Sequence, residues 1–145
     1  MPKWMEDIAS AIVRPYYHVV VSAMIFNEQD QLLLCEHTYR RLFPWGLPGG
    51  DIKFGEHPAE AIRRELREET GLSVQGTRLL LIESSTKVRK VTLIYLCTGV
   101  SGTFIPNEEV SAIRYFDTGK MPALTVEQRT TIEKALVNLN SEVIL

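Results

Sequence analysis

The segment from Gly50 to Leu72, GDIKFGEHPAEAIRRELREETGL, constrains this chain more than any other part of its sequence. Pro58 suits the first position of a helix, where its missing N–H is not needed. Gly71 suits the position just past the last turn, where the backbone often adopts a positive φ. The segment therefore predicts a helix over about residues 58–70.

Acidic side chains are concentrated on one side of this predicted helix. At about 100° per residue, Glu65, Glu68 and Glu69 fall within an arc of about 100°. Ile62 and Leu66 lie beside that arc and form a stripe that can dock on a sheet. We therefore expect the three carboxylates at the margin of the buried face. The solvent side is expected to carry the other charged residues, Glu60, Arg63 and Arg67.

Two interpretations of these carboxylates compete. Most charge runs simply solvate a surface helix. However, like charges four residues apart, such as Glu65 and Glu69, destabilise a helix by a few tenths of a kcal/mol, and by more when partly desolvated. Arg64 alone cannot neutralise three carboxylates. Clustered hard oxygen ligands suit Mg²⁺ or Mn²⁺, bound together with substrate phosphate.

The rest of the chain has the pattern of a single α/β domain over residues 1–145. Apolar residues at helical spacing predict helices over 3–13 and 126–139. The β-branched and aromatic runs 16–26 and 32–37 are predicted to form a hairpin, followed by a loop over 38–57. Further strands are expected at 77–86, 91–100 and 112–117. Several strands flanked by helices indicate a mixed sheet in an α/β/α arrangement.

Composition excludes several functional classes. Sixteen basic and eighteen acidic residues give a formal net charge of −2, so the overall field does not attract a polyanion such as nucleic acid. No apolar run approaches the ~20 residues that span a bilayer. Glu6 and Asp7 interrupt the N-terminal segment, which is unlike a signal peptide. We expect a cytoplasmic protein, with Cys35 and Cys97 as small buried hydrophobes.

The carboxylate-rich segment resembles the Nudix box, G-x5-E-x7-R-E-U-x-E-E-x-G-U, where U is aliphatic. The chain, read over residues 50–72, matches the box at every fixed position. The matching residues are Gly50, Glu56, Arg64, Glu65, Leu66, Glu68, Glu69, Gly71 and Leu72. The upstream LPGG (47–50) and the chain length are also similar to a MutT-type Nudix domain. The resemblance implies a Nudix-type α/β/α sandwich that hydrolyses a nucleoside diphosphate derivative with Mg²⁺ or Mn²⁺.

The resemblance also implies roles for individual residues. Glu65, Glu68 and Glu69 would be metal ligands, together with the backbone carbonyl of Gly49. Glu65 or a neighbour would act as general base, with Glu108 or Glu109 in a later loop as the alternative. The other two box residues complete the catalytic set: Glu56, oriented towards the metal, and Arg64, which would hold a catalytic glutamate.

Substrate contacts are predicted outside the box. Arg40 and Arg41 could reach phosphate or ribose, and Trp45 or Tyr39 could stack on a base. Glu109 is a further candidate. For each of the aromatic rings, ordinary packing is the alternative, and for the arginines it is a solvated loop.

The substrate itself is less constrained. Where ADP-ribose hydrolases of the family carry a proline this chain has Val88, and where dinucleoside polyphosphate hydrolases carry a tyrosine it has Lys90. The default is therefore a nucleoside triphosphate pyrophosphohydrolase, with an ADP-ribose or nucleotide-sugar pyrophosphatase as the rival. The 5′ end of RNA and a homodimer are left open. A module that senses nucleotides without turnover would be expected to lose a box glutamate, and all four are present.

Overall fold

The computed structural model describes residues 1–13 and 16–141. Residues 14–15 and 142–145, which belong to the predicted single domain, lie outside the described residues. Three helices occur in the described part, and the two long ones begin and end where the sequence predicts. Their bounds are α1 Lys3–Val13, α2 Pro58–Thr70 and α3 Val126–Leu139.

The strands form two sheets. The first has the order β4-β1-β6-β5 and is mixed, because β1 runs parallel to β6 and antiparallel to β4. The second has the order β3-β2-β7 and is antiparallel. The predicted mixed α/β class is confirmed. The strand bounds are β1 His18–Met24, β2 Leu32–His37, β3 Trp45–Gly46, β4 Gly49–Asp51, β5 Gly76–Ser84, β6 Lys90–Thr98 and β7 Val110–Phe116.

The predicted hairpin between β1 and β2 is wrong. The two strands meet only at an antiparallel bridge between Phe26 and Leu32, next to the turn, and then enter different sheets. Most of β2 is buried on both of its faces, so it needs cover on each side. A simple hairpin with one exposed face would not supply that cover.

Apolar residues pack on both faces of the mixed sheet. Side chains of β1 point alternately to the two faces: Val21 and Ala23 face α2, whereas Met24 faces the α3 side. Ile62 and Leu66 anchor α2 in the first core. The second core includes, from the sheet and α3, Leu80, Ile94, Ile132 and Ala135. The result is the predicted arrangement of helices on either side of a sheet.

Local capping fixes both ends of α2. The Nδ1 of His57 accepts a hydrogen bond from the N–H of Ala59 at 3.1 Å, and Pro58 occupies the first turn. Gly71 has a φ of 76° and donates its N–H to the carbonyl of Arg67. These ends agree with the sequence prediction and set which side of the helix faces the sheet.

The short strand β4 lies within the segment predicted to be a loop. It pairs with β1 and places Gly49 opposite Ser22. A Cβ on Gly49 would lie 2.0 Å from the carbonyl oxygen of Val21, so only glycine allows this approach. The pairing brings Gly49 and Gly50 against α2, where the carboxylates lie.

The first helix differs from the others, since its apolar side chains face solvent. Trp4, Ile8 and Ile12 are all more than half exposed, so these three side chains do not cover the core. In the part of the chain that the structure describes, no helix has the length and apolar character needed to cross a membrane. Cys35 and Cys97 are buried free thiols, as expected, and burial raises the pKa of each of them.

Candidate active site

A cavity of about 370 Å³ lies where α2, β4 and the loop before β7 meet. Five carboxylates reach it: three from one side of α2, one from β4 and one from the distant loop. Its acidic lining residues are Asp51, Glu65, Glu68, Glu69 and Glu109. The structure therefore brings together all three predicted acidic metal ligands and the predicted loop residue Glu109.

Glu69 is far more buried than the helix geometry predicted. Glu69 is only 2% exposed because β4 packs over it. It therefore lies inside the buried face of α2 and not at its margin, where it was expected. Oε1 accepts a hydrogen bond from the N–H of Gly49 at 2.9 Å. Burial, aided by the nearby charges of Glu65 and Glu109, raises the pKa of this carboxyl to about 8, against the lowering effect of the Gly49 hydrogen bond.

Glu65 and Glu68 continue the cluster towards solvent. Burial raises the pKa of Glu65, although Arg64 donates to its Oε1 at 2.8 Å. A Cβ on Gly50 would lie 2.6 Å from the Glu65 carboxyl group, so the missing side chain is what leaves room for that carboxylate. The Glu68 side chain is 52% exposed and forms the outer wall.

Arg64 donates hydrogen bonds to three carboxylates, those of Glu56, Glu65 and Glu68. Its Nε and Nη2 donate to the two carboxylate oxygens of Glu56 at 2.7 and 2.9 Å. Its Nη1 donates to Glu65 and, at 3.2 Å, to Glu68. Arg64 therefore holds a glutamate of the cluster, as predicted, and a further donation to the carbonyl of Asp51 ties it to β4.

Glu56 lies at the junction between the loop and α2, as predicted, and its carboxylate accepts hydrogen bonds from Arg64. It does not line the carboxylate cavity; its Oε1 also accepts from the N–H of Lys53 at 3.0 Å. The hydrogen bonds from Arg64 lower its pKa to about 2. Its carboxylate is thus held by Arg64 and by the N–H of Lys53, and Arg64 connects it to Glu65 and Glu68.

Asn107 organises the loop that carries Glu109, and sequence reasoning did not single it out. Its Nδ2 donates to the backbone carbonyl of Glu69 at 2.8 Å, while its Oδ1 accepts from the N–H groups of Glu109 and Val110. The loop is thereby fixed to the end of α2. An asparagine followed by two glutamates in a turn was the available signal, because Asn side chains bond backbone two residues on.

The donor set fits a divalent cation in kind. The cavity offers hard carboxylate oxygens, and Arg64 supplies one guanidinium for several anions. Burial, with a smaller contribution from neighbouring carboxylates, raises the pKa of Glu65 and of Glu69. Within residues 1–13 and 16–141, no three acidic, His or Cys side chains already surround one common point. Binding a cation here would therefore require the carboxylates to draw together.

A second cavity, of about 380 Å³, opens beside the first and shares Tyr39, Gly49 and Gly50 with it. It lies between the sheet and the beginning of α3. Arg40, one of the predicted substrate contacts, lines it. Its remaining polar lining includes side chains that the sequence did not assign to it: Ser22, Lys90, Thr92, Glu127, Gln128 and Thr131.

Two predicted substrate contacts line neither of these cavities. Trp45 packs edge-on against Phe116, with ring centroids 5.2 Å apart, and borders the core on the α3 side. The structure therefore supports ordinary packing, the alternative interpretation, for Trp45. Arg41 is exposed in the loop. Tyr39, in contrast, lies at the junction of the two cavities.

The α/β/α fold and the carboxylate-rich side of α2 agree with the class of protein that the box motif implies. The model of the NUDIX domain family matches residues 16–135. The chain belongs to the Nudix hydrolase family.

Named relatives agree with the family assignment. The chain is 31% identical to the 8-oxo-dGDP phosphatase NUDT18 of Danio rerio over 99 residues, which cover 68% of this chain and 30% of that protein. It is 26% identical to an ADP-ribose pyrophosphatase of Methanocaldococcus jannaschii, over 83% of this chain and 75% of that protein. Thus the chain spans less than a third of the first relative's length.

Solved structures give the same fold. A MutT NUDIX hydrolase from Burkholderia pseudomallei superposes with a TM-score of 0.72 at 25% identity. The match covers 82% of this chain and 98% of the other. The N-terminal helix α1 lies outside the residues that the family model matches.

Proposed function

We propose that this protein is a divalent-metal-dependent hydrolase that breaks a phosphoanhydride bond in a nucleoside diphosphate derivative. The observation that carries the proposal is the convergence of Glu65, Glu68, Glu69 and Glu109 on one cavity. The cost of holding these charges together is hard to explain in a structural role, because each one disfavours its neighbours. A cation and a phosphate group would compensate them.

In this proposal Glu65, Glu68, Glu69 and the carbonyl of Gly49 hold Mg²⁺ or Mn²⁺. The bound metal supplies charge neutralisation of the diphosphate and a more acidic water. Gly49 contributes to the site in a second way, since its N–H fixes one oxygen of Glu69.

Arg64 and Glu56 act as a positioning pair. The Glu56 carboxylate fixes the plane of the guanidinium, and the guanidinium then holds one oxygen of Glu65 and one of Glu68. Preorganised carboxylates need no rearrangement when the reaction begins. The pair therefore sets the orientation of both carboxylates without touching the substrate.

Glu65 is the proposed general base, with Glu109 as the alternative. The base accepts a proton from the attacking water, and a carboxyl with a raised pKa suits this role near neutral pH. The pKa of Glu65 is raised by burial. Glu109 faces the same cavity from the opposite side, so it is the residue to test if Glu65 proves dispensable.

The second cavity is proposed to bind the nucleoside. Tyr39 lies at the junction, where its ring could stack on a base, and Arg40 lies next to it with its guanidinium 5.7 Å from the Tyr39 ring centre. Further inside, Gln128 and the ion pair between Lys90 and Glu127, at 3.1 Å, offer hydrogen-bond donors and acceptors. A phosphate chain would extend from this cavity to the carboxylates.

A nucleoside triphosphate is the preferred substrate, and the reaction would release pyrophosphate and a nucleoside monophosphate. ADP-ribose or a nucleotide sugar is the second candidate. The ADP-ribose pyrophosphatase of Methanocaldococcus jannaschii supports this second candidate, because its match with the chain covers most of both proteins. Val88 stands where ADP-ribose hydrolases of the family carry a proline, and Lys90 stands where dinucleoside polyphosphate hydrolases carry a tyrosine. These differences favour the triphosphate.

Hydrolysis of a nucleotide panel tests the proposal. The panel holds common and oxidised nucleoside triphosphates, 8-oxo-dGDP, ADP-ribose, sugar nucleotides and 5′-triphosphorylated RNA, each with Mg²⁺ and with excess chelator. Chelator-sensitive cleavage of one class supports the proposal and names the substrate. Nucleotide binding without turnover of any member would favour a sensing module instead.

A further inference from the structure

His37 is a buried polar residue that lines the second cavity and to which the proposed function assigns no role. It lies at the end of β2 and is only 1% exposed. Within the described residues, neither ring nitrogen has a partner that meets hydrogen-bond geometry, although the backbone of Gly46 and Leu47 lies close to the ring. A buried polar group without a partner lowers stability, and such groups are rare enough in folded proteins to need an explanation.

The backbone of His37 is held in place on both sides of the residue, and this limits the directions in which its side chain can point. Its N–H donates to the carbonyl of Pro44 at 2.8 Å. The pairing of β2 with β7 shifts register between Glu36 and His37. Irregularities of this kind often occur beside active sites, where they redirect a side chain.

The imidazole faces the most buried carboxylate of the cavity. Its Nδ1 lies 3.6 Å from Oε2 of Glu69, and both side chains are almost completely buried. This distance is too long for a hydrogen bond. The other oxygen of Glu69 already accepts from Gly49, so Oε2 is the oxygen whose orientation remains unfixed.

We propose that His37 is a positioning residue for Glu69: its Nδ1–H donates to Oε2 and fixes the carboxylate when Glu69 binds a divalent cation. The inference rests on the proposed function, because it takes Glu69 to be a metal ligand. Closing the gap from 3.6 Å to hydrogen-bond distance needs a shift of about 0.7 Å. With Gly49 donating to Oε1 and His37 donating to Oε2, the Glu69 carboxylate can no longer rotate about its bond to the side chain.

A purely structural role for His37 predicts a different outcome. Phenylalanine, with a somewhat larger ring, and leucine both lack the unpartnered nitrogens, so a purely structural role predicts that either replaces His37 without loss of metal affinity. Glu69 is the charged neighbour close enough to become a partner of Nδ1, whereas a molecule in the second cavity, which His37 also lines, would not change metal affinity through Glu69. Groups that orient metal ligands in this way typically change metal affinity 10- to 100-fold when removed.

The test is the affinity of purified protein for Mn²⁺, followed by the electron paramagnetic resonance signal of the free ion. We expect His37→Phe to bind Mn²⁺ about 10- to 100-fold more weakly while unfolding at a temperature no lower than wild type. His37→Asn, whose amide can donate in place of Nδ1, should stay within about threefold. Ile132→Val, in the core on the α3 side, controls for general loosening and should leave the affinity unchanged.

The outcomes separate this inference from the proposed function. Unchanged Mn²⁺ affinity in His37→Phe, with binding intact in wild type, overturns the positioning role and leaves the proposed function standing. Equal weakening in His37→Phe and His37→Asn also overturns it. If wild type itself binds no Mn²⁺, both fail. Should His37→Phe fold poorly, His37→Leu is the second variant without a donor and carries the same expectation.

Discussion

The guanidinium of Arg64 holds the Glu56 carboxylate through two parallel hydrogen bonds, from Nε to Oε2 at 2.7 Å and from Nη2 to Oε1 at 2.9 Å. This arrangement leaves Nη1 directed at Glu65 and Glu68. The paired oxygens of Glu56 thus decide where the third nitrogen of Arg64 points. Through that nitrogen, the loop before α2 controls the geometry of the carboxylate cavity.

Replacing Arg64 with lysine should impair catalysis more than folding. Lysine keeps the charge but cannot grip Glu56 with two nitrogens while a third reaches Glu65. Displacing a catalytic group by about 1 Å can lower a rate on the order of 100-fold, so we expect a loss of kcat of that size. The matched control is Arg67→Lys on the exposed side of the same helix, which should keep wild-type kcat. Equal kcat in both variants would contradict the role of Arg64.

Acid should selectively remove the contribution of Glu56 to stability. Its pKa is lowered to about 2, mainly by the hydrogen bonds from Arg64, so the folded protein holds the ionised form more tightly than the unfolded chain does. The stabilisation is fully present above pH 4.5 and is lost as the pH falls towards 2. Wild type should therefore melt at a higher temperature than Glu56→Gln at pH 7, and the difference should shrink between pH 4.5 and 2.5. A difference that stays constant with pH would refute this account.

The Glu69→Gln substitution should stabilise the metal-free protein while abolishing turnover. Glutamine can still accept the Gly49 hydrogen bond, yet it removes a carboxylate whose burial is costly. We expect a melting temperature several degrees higher than wild type in chelator and no metal-dependent hydrolysis. Glu68→Gln, whose side chain is half exposed, should leave the melting temperature unchanged. A Glu69→Gln protein that melts earlier or retains full activity would count against the assignment.

Adding one methyl group at Gly50 should displace the Glu65 carboxylate. The new Cβ would lie 2.6 Å from that carboxyl group, and the end of a flexible side chain gives way more easily than backbone. We expect Gly50→Ala to fold with a melting temperature close to wild type and to lose about 10-fold or more in kcat. Gly119→Ala is the control, because nothing lies near its Cβ position. Wild-type kcat in Gly50→Ala would show that the position of Glu65 does not matter.

Local signals made the helices predictable. Pro58 and Gly71 fix the ends of α2 through their own backbone preferences, and helical spacing of apolar residues fixed α3. These features depend on residues close in sequence. The box motif likewise identified every carboxylate of α2 that reaches the cavity.

Long-range packing decided what the sequence did not reveal. The pairing of β1 with β6 instead of β2 joins residues far apart in the chain. The depth at which Glu69 is buried depends on β4, a strand of three residues with two glycines and no strand pattern. Trp45 looks the same in sequence whether it packs or stacks, and its partner Phe116 comes from a distant strand.

The central claim is that the carboxylate cavity performs metal-dependent hydrolysis of a phosphoanhydride. The most direct measurement compares wild type and Glu69→Gln on the nucleotide panel, with Mg²⁺ or chelator, and identifies the products by chromatography. We expect products from wild type with Mg²⁺, none in chelator, and at least a 100-fold lower rate from Glu69→Gln. Cleavage that survives both chelator and the substitution, or no cleavage of any phosphoanhydride by wild type with Mg²⁺, would contradict the central claim.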